Sequence, residues 1–379
     1  MSELTTIPQD TEPSTGLLDE PPTRNHVKRR RKNNLLRRNQ PDVSQRWRHG
    51  FQMAFLILNL WLGGQFYLWV RQFEGGAPEP SLARPTGIEG WLPIAGLMNL
   101  KYWLSTGHVP SIHPAAMFLL LAFVAIAFLF RKAFCSWLCP VGTVSEYLWR
   151  AGRKIFGRNF RLPGSLDTVL RGLKYLLLAF FLWAVFAMTA TAIQQFMNSP
   201  FGLIADVKML DFFRFPTATV LWVMAALALA SLLIQNFWCR YLCPYGALLG
   251  LIARLSPLKV RRDAARCIDC ARCAKVCPAR LPVDKRLAIK SVECTACLEC
   301  VAVCPVKGAL DIELPRRGVL GHQGRRTPAW VIGLGMAAVF LVVVELAKVS
   351  GHWQSQVPRS VYRELIPHAS EVAHPMPTQ

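Results

Sequence analysis

Five stretches of this chain are apolar for about the twenty residues a helix needs to cross a bilayer core, and no other feature limits its fold as strongly. They are 51–70 (FQMAFLILNLWLGGQFYLWV), 114–130, 169–190, 217–235 and 328–347. In hydrocarbon each backbone N–H and C=O must be paired within the segment, so the stretches are read as transmembrane helices. The segments between them alternate in charge. About ten Lys and Arg fall between Arg24 and Arg48, and residues 131–168 and 236–327 are again basic. Residues 71–113 and 191–215 hold few bases, balanced by Glu and Asp. The positive-inside rule then puts the N-terminus and the basic segments in the cytoplasm and the C-terminal tail in the periplasm. A basic region before residue 51 also fits a signal peptide. The apolar part is too long for one and no small-x-small site follows, so an uncleaved anchor is expected.

Hydrophobic residues make up 52% of the 379, charged residues only 18%, yet the net charge is +21. A nucleic-acid binder would share that charge. Here each basic set adjoins an apolar stretch, so membrane sidedness accounts for it; membrane lipid is the expected partner and nucleic acid is not. The expected organisation is a disordered basic cytoplasmic tail (1–45), a membrane domain with four spans (46–255), a small cytoplasmic domain (256–315), a fifth span (328–347) and a periplasmic tail (348–379).

The twelve cysteines are clustered, which favours metal ligation in a reducing compartment over a disulfide framework. Cys267, Cys270, Cys273 and Cys277-Pro278 form C-x2-C-x2-C-x3-C-P, and Cys294, Cys297, Cys300 and Cys304-Pro305 form it again. Such a turn is too tight for a helix and lets three thiolates wrap one cubane, with the fourth borrowed from the other run. One [4Fe–4S] cluster would take Cys267, Cys270, Cys273 and Cys304, and the other Cys294, Cys297, Cys300 and Cys277. Zinc also uses CxxC pairs, but rarely two CxxCxxC rows that each end in Cys-Pro. Nothing here supplies a nucleophile or an acid–base pair, so the module is read as a one-electron conductor of α+β fold.

The other four cysteines mark an internal repeat. FCSWLCPVG at 134–142 matches WCRYLCPYG at 238–246, each following an apolar span, which puts both pairs on the cytoplasmic side. A separation of four would stack Cys135 with Cys139, and Cys239 with Cys243, on one helical face; Pro140 and Pro244 are compatible with a helix end or kink. Three readings stand side by side. The pairs could converge on a third iron–sulfur cluster, act as redox-active thiols, or be buried small hydrophobes. Duplication argues against the last, and a reducing cytoplasm against a static disulfide.

Other residues carry weaker signals. The histidines, His113 among them, sit in loops or at span ends and read as scattered surface residues, with no CxxCH for haem. Glu345 lies inside the last span, where it would handle protons, meet a quinone headgroup or snorkel to the interface. Trp61, Gln65, Tyr67 and Trp69 read as an interfacial belt.

Together the CxxxCP pairs and the double cysteine run resemble the NapH/NosR-type polyferredoxin membrane proteins, and among them the YccM-type electron-transport proteins. The segments IEGWLPIAGLMNLKYW (88–103), KAFCSWLCPVGT (132–143), DVKMLDFFR (206–214), WCRYLCPYGAL (238–248) and SPLKVRR (256–262) carry the likeness. The resemblance implies electron transfer between quinone or quinol and a partner redox protein such as a cytochrome or reductase, in the bacterial inner membrane. The large periplasmic flavin domain of one branch and the Ig-like tail of another have no counterpart here. An assembly factor that reduces a metal, or a redox-sensing regulator, is the alternative function.

Overall fold

The computed structural model describes residues 42–75, 81–314 and 325–375. The expected tail at 1–45 lies outside them apart from residues 42–45, as does His322. Helix α1 (Ser44–Glu74) begins where Asp42 accepts a hydrogen bond from the Ser44 amide (2.9 Å), and it runs well past both ends of the first apolar stretch. Helices α2 (Pro93–Thr106) and α3 (Pro114–Phe130) follow, each with Pro in its first turn, where a missing N–H costs nothing. Then come α4 (Pro140–Phe156), α5 (Gly164–Ala187), α6 (Ala205–Arg214), α7 (Ala218–Leu233), α8 (Pro244–Ala253), α9 (Ala329–Val349) and a short α10 (Arg359–Leu365).

Four described helices are long and apolar enough to cross a membrane: α1, α3 continued to Trp137, α5 and α9. The stretch at 217–235 departs from expectation. It forms α7, only sixteen residues long, and reaches spanning length only together with α6, from which it is bent by 78°. Pro216 is the physical cause: it lacks an N–H and drives Phe215 out of the helical region (φ −124°, ψ 59°). Thr217 then restarts the chain as N-cap, its hydroxyl accepting from the Val220 amide. The chain is thus a multi-pass membrane protein of four spans, or five if the bent pair counts as one.

Helix α3 is the hub, packing on α2, α8 and α9 and burying most of its residues. The small domain behind it is α+β. Strands β1 (Lys259–Arg262), β2 (Leu310–Leu314) and β3 (Arg325–Arg326) form an antiparallel sheet in that order, with Val260 opposite Ile312. Val260, Leu310 and Ile312 alternate inward to the core. Strand β3 takes the domain past its expected boundary at 315.

Four side chains of the membrane domain hold the loop 289–297 of the small domain. Arg131 donates to the carbonyls of Ile289 and Ser291 (both 2.8 Å), Ser136 to Thr295 (2.6 Å) and Trp137 to Ala296 (3.1 Å). The fourth, Lys174, pairs with Glu293 (2.6 Å). At the opposite end of the bundle the C-terminal segment is folded down. Tyr362 of α10 is buried edge-on against Trp69, so Trp69 belongs to the core and not to an exposed belt with Trp61 and Tyr67. Glu345 sits on the outward surface and pairs with Lys348 (2.8 Å).

Candidate iron–sulfur sites and the cavity beside them

The two long cysteine runs share one backbone device. The residues just before and just after the middle cysteine are left-handed in both: Asp269 and Ala271 (φ 54° each) around Cys270, Ala296 and Leu298 (φ 50° and 59°) around Cys297. None is glycine, so each is strained. The repeated turn curls each loop so that its thiols face one point. Residue by residue, the result is two enclosed voids. Cys267, Cys270, Cys273 and Cys304 line the first; Cys294, Cys297, Cys300 and Cys277 line the second, among Val260, Leu281 and Ile289.

These voids suit a multi-atom cluster. Among the described residues, no three His, Cys, Asp or Glu side chains stand close enough to share a single metal ion; the thiols surround a space instead. Backbone amides point at the sulfurs, with Asp269 donating to Cys267 Sγ (3.4 Å) and Leu281 to Cys277 Sγ (3.5 Å), one of the levers that sets a cluster's potential. Burial pushes the Cys297 thiol up to about 12 and the Cys273 thiol up to about 11. The proton leaves such a thiol only when metal charge replaces it.

The CxxxCP pairs are built differently from the single helical face expected. Cys135 lies in a short helical turn (Phe134–Trp137), and Cys239 in a wide turn (Trp238–Leu242). Cys139 and Cys243 are extended (ψ 119° and 104°) and each is the N-cap of the next helix. Proline decides this, because the residue before Pro avoids the helical region and Pro favours the first helical position. Each capping sulfur accepts the amide of the glycine three residues on: Gly142 to Cys139 (3.5 Å), Gly246 to Cys243 (3.2 Å). The repeat nonetheless brings the two pairs to the wall of one space.

All four thiols open onto one cavity of about 620 Å³. Its wall is mostly apolar, with Leu58, Leu62, Phe123 and Phe340, and it reaches Gln65 and Trp91 towards the far face. Cys297 and Thr295 line both this cavity and the second cysteine void. The cavity therefore touches five thiols from two separate motifs.

Several residues at this junction escaped the sequence reading. Lys132 is buried on the cavity wall, with its ammonium beside Gly246 and Gly250 of the other repeat. The matching position in the second repeat is Asn236, so the lysine itself is not repeated. Arg48, fully buried, pairs with Glu146 (2.6 Å) and Glu299 (3.1 Å), and Gln52 also donates to Glu146 (2.9 Å). Arg48 precedes the apolar stretch and looked like one of many sidedness bases; only its partners reveal it. On the far face His113 is not a surface residue. It is fully buried, with Nδ1 3.2 Å from Glu89 and Nε2 3.0 Å from the Gly202 carbonyl. Arg84 bridges Glu89 and Asp206 beside it (2.9 and 2.6 Å). Burial opposes charge on His113, but the Glu89 and Asp206 carboxylates outweigh it and its pKa rises.

The family model described as a 4Fe-4S binding domain matches residues 112–160 and again 215–263, the two CxxxCP repeats. A 4Fe-4S dicluster domain matches 259–305. YccM of Escherichia coli (strain K12), described as a candidate electron transport protein, is 49% identical over 328 residues, 86% of this chain and 92% of that one. The chain belongs to the YccM-type branch of the NapH/NosR membrane polyferredoxins. The ferredoxin-type protein NapH of the same organism is 27% identical over 59% of this chain and 71% of its own. The regulatory protein NosR of Pseudomonas aeruginosa is 32% identical over 42% of this chain and 22% of its own. No solved structure matches. As a member of this branch, the chain is a ferredoxin-type iron–sulfur protein of electron transport.

Proposed function

We propose that this protein exchanges electrons between the quinone pool and a partner redox protein, from the bacterial inner membrane. The N-terminus and ferredoxin domain face the cytoplasm and the C-terminal segment the periplasm, in keeping with the basic segments beside the spans. Cys267, Cys270, Cys273 and Cys304 hold one [4Fe–4S] cluster, Cys294, Cys297, Cys300 and Cys277 the second, and Cys135, Cys139, Cys239 and Cys243 a third iron–sulfur group. When bound, such groups supply reversible one-electron chemistry.

The chain's own residues supply placement and environment. Lys132 sets a positive charge beside the third thiol set, and the Arg131, Ser136 and Trp137 bonds hold the Cys294–Cys297 loop against the membrane domain. The cavity takes the quinol: its apolar wall suits the ring and tail, and oxidation to quinone releases two electrons and two protons. One observation carries this reading, namely that an apolar cavity of about 620 Å³ has Cys135, Cys139, Cys239, Cys243 and Cys297 in its wall.

The test is anaerobic mixing of purified oxidised protein with a short-tailed quinol, followed through the visible iron–sulfur absorbance. Bleaching is expected, slowed about tenfold or more by Leu62→Trp, which fills the cavity, while bleaching by dithionite stays unchanged. Absorbance that persists in excess quinol overturns the proposal.

A further inference from the structure

A second recess lies away from the membrane cavity, where the ferredoxin domain meets the segment between α4 and α5. Two adjoining hollows of about 620 and 320 Å³ share Arg161, Gln235 and Lys275. Arg153 and Arg158 add to the first and Arg280 to the second. Arg153, Arg158, Arg161 and Lys275 are exposed. The cations are held in place: Arg153 lies over the Trp149 ring, Arg158 over Phe160, and Arg280 donates to the Phe160 carbonyl (2.9 Å).

What sets this groove apart is the lack of acidic partners. Nearby Arg150 pairs with Glu146 and Glu299, Arg171 with Asp167, and Arg262 with Asp269. Among the described residues, the five groove cations have no such ion pair, and Asp284 at the rim is the one carboxylate lining either hollow. Sidedness explains bases in the segment after α4. It does not explain why Lys275 and Arg280, far later in the chain, flank the same recess. Lys275 sits on the short helix between Cys273 and Cys277, and Cys277 lines the second hollow's floor as well as the second cysteine void.

We propose that this groove is the docking face for an acidic, one-electron carrier protein, which meets the second cysteine set over Cys277. The inference rests on the iron–sulfur reading above and adds to it the chemistry of the soluble partner. Complementary charge speeds encounter and sets orientation. Transfer at this face moves a single electron between carrier and cluster, with no bond made or broken and no proton required. A lipid headgroup could also neutralise the cations, but it would not use a thiol at the floor of the recess.

The experiment uses the full-length protein in nanodiscs of neutral phosphatidylcholine, with oxidised flavodoxin as the acidic probe and binding read by interferometry. Binding is expected to weaken about tenfold or more between 50 and 300 mM salt, and to fall by a similar factor in Arg158→Glu/Arg161→Glu/Lys275→Glu. Unchanged visible absorbance and iron content show that the variant is folded. Flavodoxin that fails to bind, or binds wild type and variant alike, overturns the proposal. So does a variant whose only defect is lost affinity for phosphatidylglycerol vesicles, which would make the groove a headgroup seat. Wild-type protein without iron would overturn it through the reading beneath it, and the missing iron identifies that case.

Discussion

Arg48 sits with both Glu146 and Glu299 in a place that solvent barely reaches. Breaking such a pair from one side leaves a buried charge uncompensated, so Arg48→Met is expected to cost about 3–5 kcal/mol. Arg48→Met/Glu146→Leu should recover much of that, and thermal unfolding in detergent would measure both. His113 gives a pH signature. Its folded-state pKa lies above the ordinary 6.5, so its stabilising effect is complete below about 6.5 and is lost as pH rises through the raised value. Glu89, Asp206, Arg84 and Tyr362 are the ionisable groups facing it. The melting temperature of wild type should exceed that of His113→Gln most at pH 6, with the gap narrowing towards pH 9; a gap that widens contradicts the pairing. Neither residue was legible in the sequence. One base among ten, or one histidine at a span end, carries no sign of its partner, because a buried ion pair is defined by what the fold brings to it.

At the scale of elements, motif spacing read clearly and conformation less so. The eight cysteines of the long runs stand around two voids in the grouping their spacing suggested, since C-x2-C-x2-C leaves little freedom beyond the left-handed residues it adopts. The two cysteines of each CxxxCP pair do not share one helical face. Proline begins a new helix there and turns the second cysteine into its cap. The repeat is also unequal in a testable way. A Cβ on Gly142 would overlap the Cys135 carbonyl oxygen, which is backbone and cannot yield. A Cβ on Gly246 meets nothing nearer than Cys243 Sγ at 3.5 Å and the end of Lys132 at 3.6 Å, ordinary van der Waals contacts. Gly142→Ala should therefore destabilise by about 1–3 kcal/mol, while Gly246→Ala stays near neutral. Chemical denaturation of the two variants separates them, and equal losses would mean that the halves are packed alike. The bend between α6 and α7 belongs here too: apolar length pointed to a span, but Pro216 divides it.

For the whole molecule, apolar stretches and charge pattern pointed to a multi-pass protein, and cysteine spacing to a ferredoxin-type domain before its last span. They could not show that the domain is clamped to the bundle through residues 289–297, or that the two cysteine systems meet at one cavity. Those depend on contacts between segments more than a hundred residues apart, such as Ser136 with Thr295 (separation 159) and Arg131 with Ser291 (separation 160). In the proposed function the CxxxCP thiols extend the iron–sulfur system to the cavity wall. Iron and acid-labile sulfide per chain, measured on anaerobically purified protein, test it most directly. About twelve irons are expected at four per cubane, falling by about four in Cys135→Ser/Cys239→Ser with the ferredoxin-type signals retained. About eight irons in the wild type, unchanged in that variant, would contradict it.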